Sequence, residues 1–232
     1  MRKLLTALLL IPSALVFSEY QAKTVEKRYY ENKQLESEIS YENGKKNGTA
    51  VVYSQNGLIR VRGNYRDDRR HGLWTFYFEE TSTLQAVEFY ENDRLQGKQS
   101  YYYPNGRLRH TAVYENDEKK GNWEWFTEEG ILEARIEYKS DYRGLAAFYR
   151  KGILACHGAI VNEYRSGIWK FYDEKGLPLY SLTYRRGIPF GNYETYNKDG
   201  SVLFSGIVDE EGNITVETDG KTEIIDTFTG RF

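Results

Sequence analysis

Few residues in this chain have both the type and the spacing to do chemistry. The three histidines, His71, His110 and His157, stand far apart, whereas a structural metal site draws its ligands from closely spaced pairs. The single Cys156 can form no internal disulfide and falls among apolar neighbours, as a small buried hydrophobe does. The acid pairs Asp67-Asp68 and Glu128-Glu129 would be candidate glycosidase carboxylates. Both lie in predicted turns and read as solvated surface. The run Asp209-Glu210-Glu211-Gly212-Asn213 has the composition of a calcium loop without its ligand spacing. No nucleophile elbow, phosphate loop or dinucleotide fingerprint occurs. The sequence therefore assigns no catalytic residue, no metal ligand and no cofactor-binding residue, and the chain is not expected to be an enzyme.

Composition narrows the partners. With 32 basic and 34 acidic residues, no strong field would recruit nucleic acid. The basic clusters Arg69-Arg70-His71, Lys119-Lys120 and Arg185-Arg186 read as solvated loops. Rings are abundant, with 21 Tyr, 11 Phe and 4 Trp, and such residues favour pleated strands.

The elements that carry these rings recur. The run from Tyr114 to Gly130 returns in copies starting at Tyr41, Tyr65, Tyr90, Tyr138, Ile160 and Tyr184, about 24 residues apart. Six copies place a glycine seven residues after the start: Gly48, Gly72, Gly97, Gly121, Gly167 and Gly191; in the fifth, Gly144 comes one place early. Taking that glycine as position zero, a turn at positions 8 and 9 (Asn56-Gly57, Asn105-Gly106, Asp199-Gly200) predicts a hairpin with a two-residue type I′ turn. Such a turn pairs position 4 with 13 and 2 with 15, and paired residues share a face. Positions 2, 4, 11, 13 and 15 then form one apolar face, which carries Trp74, Trp123 and Trp169. Tyrosine at position 17 is expected opposite the glycine at zero, covering its bare backbone. Length changes at Glu79–Thr83, Tyr142–Gly144 and Arg150–Gly152 fall in turns, which preserves the alternation of faces.

The array implied is all-β, an elongated, twisted or curved antiparallel meander of about sixteen strands over residues 19–208. A capping hairpin and tail follow over 209–232. Its exposed edges invite end-to-end association. Ahead of the array, Met1-Arg2-Lys3 and the apolar run Leu4 to Leu15 have the layout of a signal peptide over residues 1–18, cleaved after Ser18. That run is shorter than the ~20 residues a membrane helix needs. Export to the periplasm, cell envelope or medium is the expectation.

One row of residues remains as a candidate binding site. Position 5 is aromatic in all seven repeats: Tyr53, Tyr77, Tyr102, Phe126, Tyr149, Tyr172 and Tyr196. Parity places it on the face opposite the tryptophans. Rings on every second strand, about 10 Å apart, could hold a protein strand, a glycan or an envelope component. Equally, each ring could pack on neighbouring aliphatic stems and stiffen the sheet.

The unit Gly-x-Trp-x-Phe-Tyr-x-x-x-Gly, preceded by Tyr-x-Asn-Gly/Asp, resembles the bacterial variant of the MORN repeat from about Thr24 to Val208. Chains built wholly of it look like the YwqK family, commonly labelled the antitoxin of a toxin–antitoxin pair. The resemblance implies a binding or scaffolding array without catalysis. Three functions follow as expectations: an exported scaffold binding a protein or envelope component, an antitoxin or immunity-type protein, and a cell-wall glycan-binding repeat protein.

Overall fold

A computed structural model describes residues 23–218 and 221–227; the signal-peptide segment with its Ser18 cleavage point lies outside them. Twenty-one strands, from Lys23–Tyr29 to Lys221–Thr227, form one antiparallel meander in which each strand pairs with its chain neighbours. The array supplies sixteen strands and the terminal hairpin Asn213–Thr218/Lys221–Thr227 two more. Three two-residue pieces, Arg69–Arg70, Arg94–Leu95 and Glu118–Lys119, are split by a bulge from the strands that follow them. The hairpin joins the array through Ile207↔Thr215 and Val208↔Ile214.

One of the two kinds of turn departs from the expectation. At Asn56-Gly57, Asn105-Gly106 and Asp199-Gly200 only the glycine has positive φ (82°, 82° and 86°). In the repeat at Gly121, Gly130 N–H donates to Thr127 O at 2.9 Å and Thr127 N–H to Ile131 O at 2.8 Å. This is a type I turn ending in a left-handed glycine. The residue before the glycine works through its side chain instead: Asn105 Oδ1 accepts from Arg107 N–H, and Asp199 Oδ1 from Ser201 N–H. The two-residue type I′ turns lie at the other edge, where both residues of Asn43-Gly44, Asn92-Asp93 and Asn116-Asp117 have positive φ.

The register of the strand centres is nevertheless as the sequence implies: Gly121↔Tyr138, Trp123↔Ile136 and Trp125↔Ala134. A bulge then intervenes, and Phe126 pairs with Leu132. The longer turn and the bulge cancel at the centre of the strand but not beside the turn. Position 11 therefore faces the position-5 ring, not the tryptophan side as the unbroken alternation required.

The core lies on one face. Trp74, Trp123 and Trp169 are all buried there, with Ala50, Ala146 and Gln99 at equivalent positions. Each indole N–H donates to a backbone carbonyl ten residues back: Trp74 to Asn64 O, Trp123 to Val113 O and Trp169 to Ala159 O, at 3.2, 3.0 and 2.9 Å. A buried indole needs such a partner. Gln99 substitutes an amide for the indole, its Oε1 accepting from Phe89 N–H at 2.6 Å. Tyr65 and Tyr90 flank Trp74, and Tyr114 and Tyr138 flank Trp123, with centroids 5.0–6.4 Å apart.

These tyrosines stand opposite the position-zero glycines in register but do not cover them. A Cβ on Gly72, Gly97 or Gly167 would meet no atom within 4 Å. Those glycines are needed for their positive φ, 79°, 70° and 68°, where the strand enters the sheet after the turn. The ring-over-glycine contact exists at position 15 and is made by tryptophan. A Cβ on Gly63 would lie 2.2 Å from Trp74, and one on Gly158 2.5 Å from Trp169.

Two of the basic clusters also differ from solvated loops. Arg70 lies over the Tyr90 ring at 3.8 Å, and Lys119 over Trp123 and Tyr138 at 5.8 and 5.3 Å. Cys156 is buried and its thiol is pushed up by that burial, in keeping with a packing role.

Candidate binding face

The seven position-5 aromatics are all half-buried on the face away from the tryptophans. Their polar neighbours identify the side. Tyr53 hydroxyl donates to Glu38, and Tyr196 hydroxyl to Ser181 and Glu194 at 2.9 and 2.7 Å. The Tyr172 ring stacks on His157 at 5.7 Å, with its hydroxyl 2.9 Å from His157 Nε2. Burial raises the ionisation point of Tyr53, Tyr172 and Tyr196, so these hydroxyls stay protonated donors at neutral pH.

The bulge makes the row double. Every ring is registered against a non-aromatic apolar residue at position 11: Tyr53 with Ile59, Tyr77 with Leu84, Tyr102 with Leu108, Phe126 with Leu132, Tyr149 with Leu154, Tyr172 with Pro178 and Tyr196 with Val202. Cross-strand pairs of this kind stiffen a sheet and bury part of each ring. The sequence gives no hint of the doubling if strands are read as unbroken alternation.

The row is not uniform along its length. Tyr53, Tyr172 and Tyr196 are tied to polar neighbours. Among the described residues, the hydroxyls of Tyr77, Tyr102 and Tyr149 have no hydrogen-bond partner. Near the middle, Ala147 takes a position filled by Glu124 and Lys170 in the adjacent repeats. The small side chain leaves a shallow depression of about 570 Å³ bordered by Leu145, Tyr149, Leu154, His157 and Arg135. Leu73 and Leu145, on the same face, are 59% and 53% exposed. Solvent-facing leucines beside unpartnered phenols form a surface able to dock an amphipathic partner. Ala147 and Leu145 were not legible as site residues; the signal available was that position 3 drops to alanine between Glu124 and Lys170.

His110 and His157 sit on different strands and His71 between the pieces Arg69–Arg70 and Gly72–Tyr77; His110 is on the tryptophan face, stacked on Tyr101 at 4.2 Å. Among the described residues no three His, Cys, Asp or Glu side chains converge as metal ligands. Asp67-Asp68 is more than solvated surface, since Asp68 Oδ1 accepts the backbone N–H of Lys46 at 2.8 Å. Asp209 caps its own turn through Glu211 and Asn213 N–H.

A single-layer meander of near-identical hairpins is the architecture of a repeat protein, with an extended surface. Residues 24–43, 95–116 and 119–140 match the MORN repeat variant, so these three stretches are similar to that repeat, and the other hairpins of the array follow the same pattern. No curated protein matches the sequence. Among solved structures, a TarM mutant from S. aureus in complex with fondaparinux, alpha-GlcNAc-glycerol and UDP is similar at 13% identity and a TM-score of 0.33, over 43% of this chain and 20% of that one. A second TarM structure gives 15% identity and a TM-score of 0.32 over 50% and 21%. A TcdB2-TccC3-Cdc42 structure gives 11% identity and a TM-score of 0.23 over 84% and 13%. The chain spans about a fifth or less of these proteins, and at such TM-scores the likenesses carry no argument.

Proposed function

We propose that this chain is an exported, non-catalytic scaffold that binds a protein partner or a cell-envelope component through its aromatic face. The observation that carries the reading is the middle of the row. There Tyr77, Tyr102 and Tyr149 present unpartnered hydroxyls, exposed Leu73 lies on the strand of Tyr77, and exposed Leu145 borders with Tyr149 the depression opened by Ala147. A purely structural row would bury these leucines or bond these phenols, as it does at Tyr172 and Tyr196. The apolar run Leu4 to Leu15 supports export.

The test is a pull-down from an envelope fraction with residues 19–232, comparing the native sequence with a Tyr77→Ala/Tyr102→Ala/Tyr149→Ala variant. A species retained by the native protein and lost by the variant, with the melting temperature nearly unchanged, supports the reading. Unfolding of the variant, or unaltered retention, overturns it. Recovery of an exported chain that begins at Glu19 would establish cleavage after Ser18.

The match to the MORN repeat variant favours a second reading, a YwqK-type antitoxin of bacterial origin. Rescue of growth on co-expression with a neighbouring toxin would support it, and no rescue would remove it.

A further inference from the structure

One hairpin tip departs from the rule the other tips obey. The four-residue tips Glu42–Lys45, Arg66–Arg69, Glu91–Arg94, Glu115–Glu118, Ser140–Arg143 and Val161–Tyr164 each contain at least one acid. The seventh, Arg185–Ile188, contains two arginines and none. The acid has a task elsewhere: Asp68, Asp93, Asp117 and Asp141 each accept, through Oδ1, the backbone N–H of the residue that follows the preceding tip, at 2.7–3.0 Å. At the seventh tip Gly187 still donates its N–H to Arg165 O at 2.9 Å, but no carboxylate stands beside it.

Beside this tip lies a groove of about 650 Å³ lined by Arg185 and Arg186 together with Asn162, Tyr164, Thr183 and Asn192, and a Cβ on Gly187 would approach the Tyr164 ring at 3.1 Å. No Asp or Glu lines it, although the chain as a whole carries a net charge of −2. Arg185 lies over the Phe190 ring at 4.3 Å, and among the described residues neither Arg185 nor Arg186 has a carboxylate partner. Tyr164 is 60% exposed at the mouth. Two guanidinium groups offer the planar donor geometry that carboxylate and phosphate oxygens accept. The amides, the threonine hydroxyl and an open ring face suit the hydroxyls and flat C–H face of a sugar, and the volume lies within the range of small-ligand sites.

We propose that this groove binds an acidic sugar, a pyranose bearing a carboxylate or phosphate, whose oxyanion takes the place of the aspartate missing from the seventh tip. The groove lies at the hairpin-tip edge, no position-5 ring lines it, and its binding does not depend on what that row of rings holds.

The test is calorimetric titration of the purified protein with three probes: a uronic-acid oligomer, the neutral oligomer of the same sugar, and inorganic phosphate. The uronic-acid oligomer should bind at least tenfold more tightly than the neutral one, with affinity falling as salt rises. Arg185→Gln/Arg186→Asn should weaken it at least tenfold; Asn accepts the φ of 50° at position 186. Gly187→Asp restores the aspartate of the other tips at a φ of 81°, close to the 67–72° of Asp68, Asp93 and Asp117. A Cβ there would lie 3.1 Å from Tyr164 Cδ1, which the exposed ring accommodates by a small shift, and the variant should abolish binding while remaining folded. Equal binding of acidic and neutral oligomers, undiminished binding by the arginine variant, phosphate binding as tightly as the sugar, or no binding at millimolar concentration would each overturn the proposal.

Discussion

The Trp169 ring lies against Gly158 so closely that a Cβ on the glycine would sit 2.5 Å from Trp169 Cγ. Trp169 is fully buried and its N–H is bonded to Ala159 O, so the ring cannot give way. Gly158→Ala should therefore destabilise the protein by about 3 kcal/mol, the upper range for overpacking. Gly97→Ala is the control: nothing lies within 4 Å there, and only its φ of 70° is strained, at a cost of about 1 kcal/mol. Chemical denaturation of both variants checks the order; a milder effect at Gly158 would mean the indole can move.

The tips are joined by aspartates, and this should be measurable one bond at a time. Asp93 Oδ1 accepts the Arg70 backbone N–H at 2.9 Å and its guanidinium at 3.1 Å. Asp93→Ala should cost about 1–2 kcal/mol, the range for losing a charge-assisted bond at a half-exposed site. Asp93→Asn keeps an acceptor for the N–H and should cost less. Equal losses in the two variants would place the contribution in the ion pair alone.

The faces of the strand centres were legible in the sequence because the extra turn residue and the bulge cancel there, leaving the side-chain period of two intact. Trp74, Trp123 and Trp169 thus fall on one side although the turns differ from the expected type. What could not be read was anything set by the turns themselves. Asn105-Gly106 is compatible with either hairpin turn, and only the hydrogen bond from Tyr103 N–H to Arg107 O distinguishes them. The choice decides whether Leu108 lies with the tryptophans or beside Tyr102, and so whether the aromatic row is single or double. The aspartate staples were hidden for a related reason. Asp93 reaches residue 70, a contact between repeats that no single-repeat reading contains.

His110 gives the fold a dependence on pH. Burial, reinforced by the nearby Arg109 charge, lowers its pKa from 6.5 to about 4. The unfolded chain therefore takes up a proton at higher pH than the folded one, so stability falls as pH drops from 6.5 to 4 and then levels for this group. Replacing the imidazole by a ring that does not titrate, His110→Phe, should flatten the curve across that window while keeping the stack on Tyr101. An unchanged slope between pH 6.5 and 4 would show that His110 is charged in the folded state.

Cys156 reports on opening of the sheet. It lies on the tryptophan face opposite Phe171, 7% exposed, and burial pushes its thiol above the ordinary range. The thiolate is the nucleophile that attacks a thiol reagent, so both access and ionisation hold the native rate down. Labelling of the native protein should be slower than that of the denatured chain by orders of magnitude. The rate should rise with denaturant in step with global unfolding, because Cys156 belongs to the same buried cluster as Trp169 and Leu182. Labelling that runs ahead of the unfolding transition would instead reveal that the middle of the array opens as a unit smaller than the whole.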